Sequence, residues 1–100
     1  LGISMAFFTI LNKLIVLGED LVDNLNKDYV PSKYKEIANI LENEKILNKE
    51  QFKIYISFIE YRNEIAHEYE EIYNVEIDWC LKHLNFVDEF LKIVKKNLLK

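Results

Sequence analysis

The chain is expected to be all-α, an antiparallel bundle of about four helices in a single domain over residues 1–100. Three observations predict this class. Two glycines and one proline in 100 residues leave turn punctuation scarce. Apolar residues recur at three-and-four spacing through four segments, the signature of amphipathic helices. No segment alternates with the period of two that marks a half-buried strand, and neither an internal repeat nor a low-complexity run interrupts the pattern. Half of the residues are apolar, which supports a packed core and argues against disorder. A domain this small still leaves much surface in water, so self-association over an apolar face is expected.

Phe7, Leu11, Leu14, Leu21 and Leu25 place a first helix at about residues 4 to 26, with Ile10, Leu17 and Val22 widening its stripe. The opening "LGISMAFFTILNKLIVLG" carries one charge, Lys13. It is too short for a spanning helix, and a central lysine costs about 2.5–3.5 kcal/mol on insertion scales. No basic region precedes it and no small-residue cleavage site follows, so it reads as a buried helix. Pro31 bars continuation, having no N–H and biasing Val30 away from helix. Ser32 is a good N-cap for a second, shorter helix with Tyr34, Ile37, Ala38 and Leu41 on its inner face. "ENEK" ends it.

Asn48 with Gln51 has capping-box form, so a third helix begins near Lys49. Its buried side is expected to hold Phe52, Tyr55, Ile56, Ile59 and Ala66. Asn74 is the next cap. Beyond it Ile77, Leu81, Leu84, Val87, Leu91, Val94 and Leu98 form the most regular stripe in the chain. Lys92, Lys95, Lys96 and Lys100 lie in the last turns, where cations suit the helix dipole.

A net charge of −4 argues against a general polyanion binder, so any nucleic-acid role needs a local, shape-based site. The single cysteine, Cys80, allows no intrachain disulfide and fits a reducing, cytoplasmic setting. Nothing cationic near it in sequence lowers its pKa, and it reads as a small core residue. His83 reads as a boundary residue beside the last stripe.

The chemistry concentrates in "YRNEIAHEY", residues 61–69. Arg62 is the one arginine among 13 basic residues, and His67 is the first of two histidines. On a straight helix Arg62 and His67 lie about 140° apart and do not share a face, whereas Arg62 and Tyr69 differ by about 20° and do. Asn63 and His67, at i and i+4, share a face, so Asn63 is placed to orient the imidazole. Two copies packed across this helix would line one cleft with two arginines and two histidines. Guanidinium forks suit the oxygens of a phosphodiester, and an imidazole exchanges protons near neutrality. That set suffices for metal-independent RNA cleavage by the neighbouring 2′-OH. The blander readings are a surface salt bridge for Arg62, a helix-end histidine for His67 and a packing residue for Tyr69.

"RNEIAHEY" fits the R-x-x-x-x-H-x-Y pattern of the HepT toxins, a branch of the HEPN (higher eukaryotes and prokaryotes nucleotide-binding) superfamily. "DYVPSKYKEIANILENEKILNKEQFKIYISFIEYRNEIAHEYEEI" is similar to the HepT middle region, and the resemblance covers about residues 5 to 98. It implies a HEPN-type bundle, a homodimer whose motif helices meet, and a metal-independent ribonuclease toxin without cofactor. Arg62 and His67 would be the catalytic pair. It further implies a partner, an MntA-type minimal nucleotidyltransferase antitoxin, that transfers AMP from ATP onto Tyr69. HepT chains usually carry another helix ahead of the region matched by residues 5 to 26, so the expectation is a domain lacking that helix. Glu60, Glu64, Glu68, Glu70 and Glu71 crowd the motif, and RNA is expected to be gripped at few phosphates.

Two other readings compete. Glu64 and His67 form E-x-x-H, the ligand pair of di-iron bundles, but one copy is present and Arg62 opposes a dication. A HEPN fold also serves as a non-catalytic module that binds a nucleotidyltransferase partner or a nucleotide, since fold does not fix function.

Overall fold

The computed structural model describes residues 2–25, 33–67, 78 and 81–98, with the side chains of 2–5, 7 and 64–67 outside that description. Four helices carry the fold: α1 (Gly2–Leu25), α2 (Tyr34–Asn43), α3 (Lys49–His67) and α4 (Leu84–Leu98). No strand occurs among the described residues. The all-α class therefore stands, with four helices among the described residues. The expected cap Ser32 lies outside the described residues, as do Asn74, Ile77 and Cys80. α2 instead starts from Lys33, which makes no side-chain cap bond.

Helix α3 organises the others. Asn12 meets Arg62 and the Leu14 carbonyl meets Tyr55, so α1 runs antiparallel to α3. Tyr34 at the start of α2 lies beside Arg62, while the far ends of α2 and α3 are joined by a short loop. Gln51 approaches Glu89, and Phe58 stacks near Phe86, so α4 is antiparallel to α3 as well. The C-terminal ends of α1 and α4 meet through the Asn24 amide, which donates to the Asn97 carbonyl at 3.4 Å.

Leu11, Leu14, Ile15, Leu21 and Val22 of α1 pack with Ile37, Ala38 and Leu41 of α2 and with Tyr55, Phe58 and Ile59 of α3. Lys13, the charge within the opening apolar run, is exposed. No described helix is long and apolar enough to cross a membrane. Gly18 is buried where α1, α2 and α3 converge. A Cβ there would overlap the Tyr55 hydroxyl and come within 2.8 Å of Ile37 Cγ2. Its missing side chain is what admits the phenol, whose O–H donates to the Leu14 carbonyl at 2.8 Å. A buried hydroxyl without such a partner costs about 1–3 kcal/mol.

The last stripe packs on the core as expected at Val87, Val94 and Leu98 and differs from expectation elsewhere. Phe86, Phe90 and Val94 face the core, whereas Leu81, Leu84 and Leu91 are 51%, 39% and 39% exposed. The reason is aromatic packing. Phe90 stacks on Tyr55 at 5.1 Å between centroids, and Phe86 on Phe58 at 5.7 Å. Rings bury more apolar area than leucines and gain about 0.5–1.5 kcal/mol per pair beyond it, so α4 turns its rings inward. The helix expected to run unbroken from Asn74 is also interrupted. His83 is a turn residue whose carbonyl accepts from the Phe86 N–H, and α4 begins just after it. Leu25, expected inside, is 40% exposed at the end of α1.

Candidate nucleic-acid site

Arg62 sits in the penultimate turns of α3, half-buried, where α1 and α2 come closest to it. Its Nε–H donates to Asn12 Oδ1 at 2.8 Å, and Nη1 donates to Asn63 Oδ1 at 3.3 Å. The guanidinium carbon lies 5.3 Å from the Phe8 ring centroid and 5.1 Å from that of Tyr34. Each such cation–π contact contributes about 0.5–2 kcal/mol, more as water is excluded. Two residues from α1, one from the start of α2 and one from α3 itself thus fix both the plane and the rotation of the fork.

These partners are neutral amides and rings. The guanidinium keeps its positive charge while losing conformational freedom, and two of its five N–H groups are used by the two bonds.

Two open grooves of about 580 Å³ each flank the arginine. One is walled by Phe8, Thr9, Asn12, Lys13, Val16 and Leu17 along α1. The other is walled by Lys33, Tyr34, Lys35 and Asn63. Asn12 and Phe8 belong to the first wall and Tyr34 and Asn63 to the second, so Arg62 bridges the two.

Of the other residues singled out in the sequence, Asn63 is half-buried and turns its amide oxygen to Arg62. His67 is the last described residue of α3, with its side chain outside those described. Tyr69 lies outside the described residues, as do Glu68, Glu70 and Glu71. His83 is half-buried at its turn, as a boundary histidine would be. Among the described residues no group of three or more His, Cys, Asp or Glu is placed to hold a metal.

Sequence reasoning missed Asn12, Phe8 and Tyr34 as the holders of Arg62, having placed Tyr34 on the inner face of the second helix, where it is in fact 38% exposed. One signal was present. Asn12 is an amide set in an otherwise apolar run, four residues after Phe8 and hence on the same helix face.

No curated protein and no solved structure matches the chain. A family model described as ribonuclease HepT-like matches residues 1–96, nearly the whole length. With Arg62 of the R-x-x-x-x-H-x-Y motif built into the fold by three helices, the chain belongs to the HepT-like ribonuclease family.

Proposed function

We propose that the protein is a metal-independent endoribonuclease, the toxin of a toxin–antitoxin pair, working as a homodimer with Arg62 and His67 as its catalytic residues. The observation that carries the reading is the held guanidinium: a half-buried fork fixed by Asn12, Asn63, Phe8 and Tyr34, in a chain of the ribonuclease HepT-like family. A fork fixed in advance loses little on meeting a phosphate, which is how preorganised charge lowers a barrier.

In the proposed reaction a ribose 2′-oxygen attacks the adjacent phosphorus. The bond from phosphorus to the 5′-oxygen breaks, leaving a 2′,3′-cyclic phosphate and a 5′-hydroxyl. His67 takes the 2′-OH proton or protonates the leaving oxygen, and Arg62 holds the charge that builds on the phosphoryl oxygens. Asn63 supports both, its oxygen on Arg62 and its position one turn before His67.

The regulatory half of the proposal concerns Tyr69. A minimal nucleotidyltransferase antitoxin would present ATP to it. The phenolic oxygen attacks the α-phosphorus, pyrophosphate leaves, and the phenol proton passes to solvent. The product would carry a phosphodiester and an adenosine which, on the straight-helix spacing of the sequence, stand on the side of Arg62 and compete for the guanidinium.

The test is RNA cleavage in EDTA by the wild type, Arg62→Ala and His67→Ala. Cleavage by the wild type and loss in both variants is expected. Equal activity in all three, or none in any, leaves the interaction module as the better reading. For the switch, the protein is incubated with its nucleotidyltransferase and ATP. A mass gain of one AMP, abolished by Tyr69→Phe, is expected, and no gain at Tyr69 contradicts it.

A further inference from the structure

We propose that the groove walled by Lys33, Tyr34, Lys35 and Asn63 is the subsite for the stretch of single-stranded RNA adjoining the phosphate held by Arg62. The strand's identity as RNA rests on the ribonuclease reading above, and the groove's role as its track rests on four features.

The first is the direction of the fork. Asn12 holds Nε on the α1 side, and Nη1 reaches Asn63, a wall of this groove. Arg62 is therefore joined to the Lys33–Lys35 groove through two of its walls, the Asn63 amide and the Tyr34 ring. The second is charge. The chain carries −4 overall, yet two exposed lysines flank this one ring. Two cations along one groove suit the repeated phosphates of a strand. The third is the ring itself. Tyr34 is 38% exposed while its ring also contacts Arg62, so it offers a nucleobase a stacking surface next to the cation. The last is size. About 580 Å³ falls within the range of about 300–1,000 Å³ usual for small-molecule sites and accommodates a nucleotide unit. A lysine–aromatic–lysine wall with one amide among its described residues gives grip with little sequence preference.

The experiment uses a fluorescent single-stranded 2′-O-methyl oligonucleotide, which lacks the attacking hydroxyl and stays intact. Its affinity is measured by anisotropy across a salt series for the wild type, for Lys33→Gln/Lys35→Gln, and for Lys92→Gln/Lys95→Gln on α4. All substituted lysines are exposed, and thermal melts confirm that each variant folds. The groove variant is expected to bind about tenfold more weakly at low salt. The slope of log affinity on log salt should flatten by about 1.4, or about 0.7 per lost phosphate contact. The α4 variant should match the wild type.

Unchanged affinity and slope in the groove variant, equal weakening in the α4 variant, or no binding by the wild type would each overturn the proposal. Cleavage of unmodified RNA in EDTA is read in parallel. Wild-type cleavage with groove-independent binding overturns the subsite and leaves the ribonuclease reading intact. Groove-dependent binding without cleavage does the reverse.

Discussion

An arginine on an exposed helix spreads over many rotamers, and freezing it costs up to about 2 kcal/mol. At Arg62 the fold has already met that cost, through the 2.8 Å bond to Asn12 and the rings of Phe8 and Tyr34. In the proposed reaction Asn12 is then a positioning residue, acting on substrate through Arg62. A hydrogen bond to a charged group is worth about 1.5–3 kcal/mol, so Asn12→Ala should lower kcat/KM for RNA cleavage by about ten- to a hundredfold. The loss should fall mainly on kcat, and Asn12→Gln should restore part of it. A thermal melt little changed beside a large loss of kcat separates positioning from simple unfolding. Tyr55 makes a different point. Burial, with the Glu19 carboxylate adding to it, pushes its phenol far above the ordinary value near 10. The folded state keeps the proton that the unfolded chain releases, so this contribution is whole below about pH 10 and declines as pH rises beyond it. Melting temperature should therefore fall from about pH 10 upward, and Tyr55→Phe should flatten that decline while costing about 1 kcal/mol at neutral pH for the lost bond to Leu14.

Helix ends divide into those written in sequence and those settled by the fold. The Asn48–Gln51 capping box forms as its spacing implies. The Asn48 N–H donates to Gln51 Oε1 at 3.0 Å, and the Gln51 N–H donates to Asn48 Oδ1 at 2.8 Å. Both bonds are local, which is why sequence alone reveals them. The end of α2 was legible only as a polar run. Lys45 there takes φ 61°, the Ile46 N–H donates to the Leu41 carbonyl at 2.9 Å, and the Lys45 N–H donates to the Glu42 carbonyl at 3.0 Å. This is the Schellman arrangement, with lysine where glycine is usual. It is tolerated because Ile46 and Leu47 must turn back onto the core. A side chain in this left-handed region costs about 1–2 kcal/mol, offset in part by the chain entropy of glycine. Lys45→Gly should accordingly stabilise the protein by about 1 kcal/mol, read as a higher urea midpoint at unchanged m-value.

At the scale of the molecule, the all-α class and the four described helices were legible because local periodicity sets them, and the rotation of α4 was not. Its leucine stripe and its phenylalanine pair are rival faces of one helix, and only the rings of Tyr55 and Phe58 on α3 decide between them. The motif arginine was legible as an exception among lysines, yet its holders come from residues 50 and 28 positions away in the chain, Asn12 and Tyr34, whose meeting is a tertiary event. The losing face has a consequence. Leu84 and Leu91, seven apart and each 39% exposed, share one side of α4, with Leu81 in the turn before. Such a strip is the kind of surface a second copy covers in the proposed dimer. Leu84→Glu/Leu91→Glu should shift sedimentation from dimer to monomer and remove RNA cleavage with it, if the cleft is shared between copies; a wild type that sediments as a monomer while cleaving RNA contradicts the shared cleft.

The central claim is that a planar, pre-held fork, and not merely a positive charge, stands at position 62. The most direct measurement is the initial rate of RNA cleavage in EDTA by the wild type and by Arg62→Lys, which keeps the charge but cannot present the fork or bond Asn12 through Nε. A loss of about a hundredfold or more is predicted, the scale of removing one preorganised transition-state donor. Cleavage by the lysine variant at the wild-type rate, or no cleavage by the wild type, would contradict it.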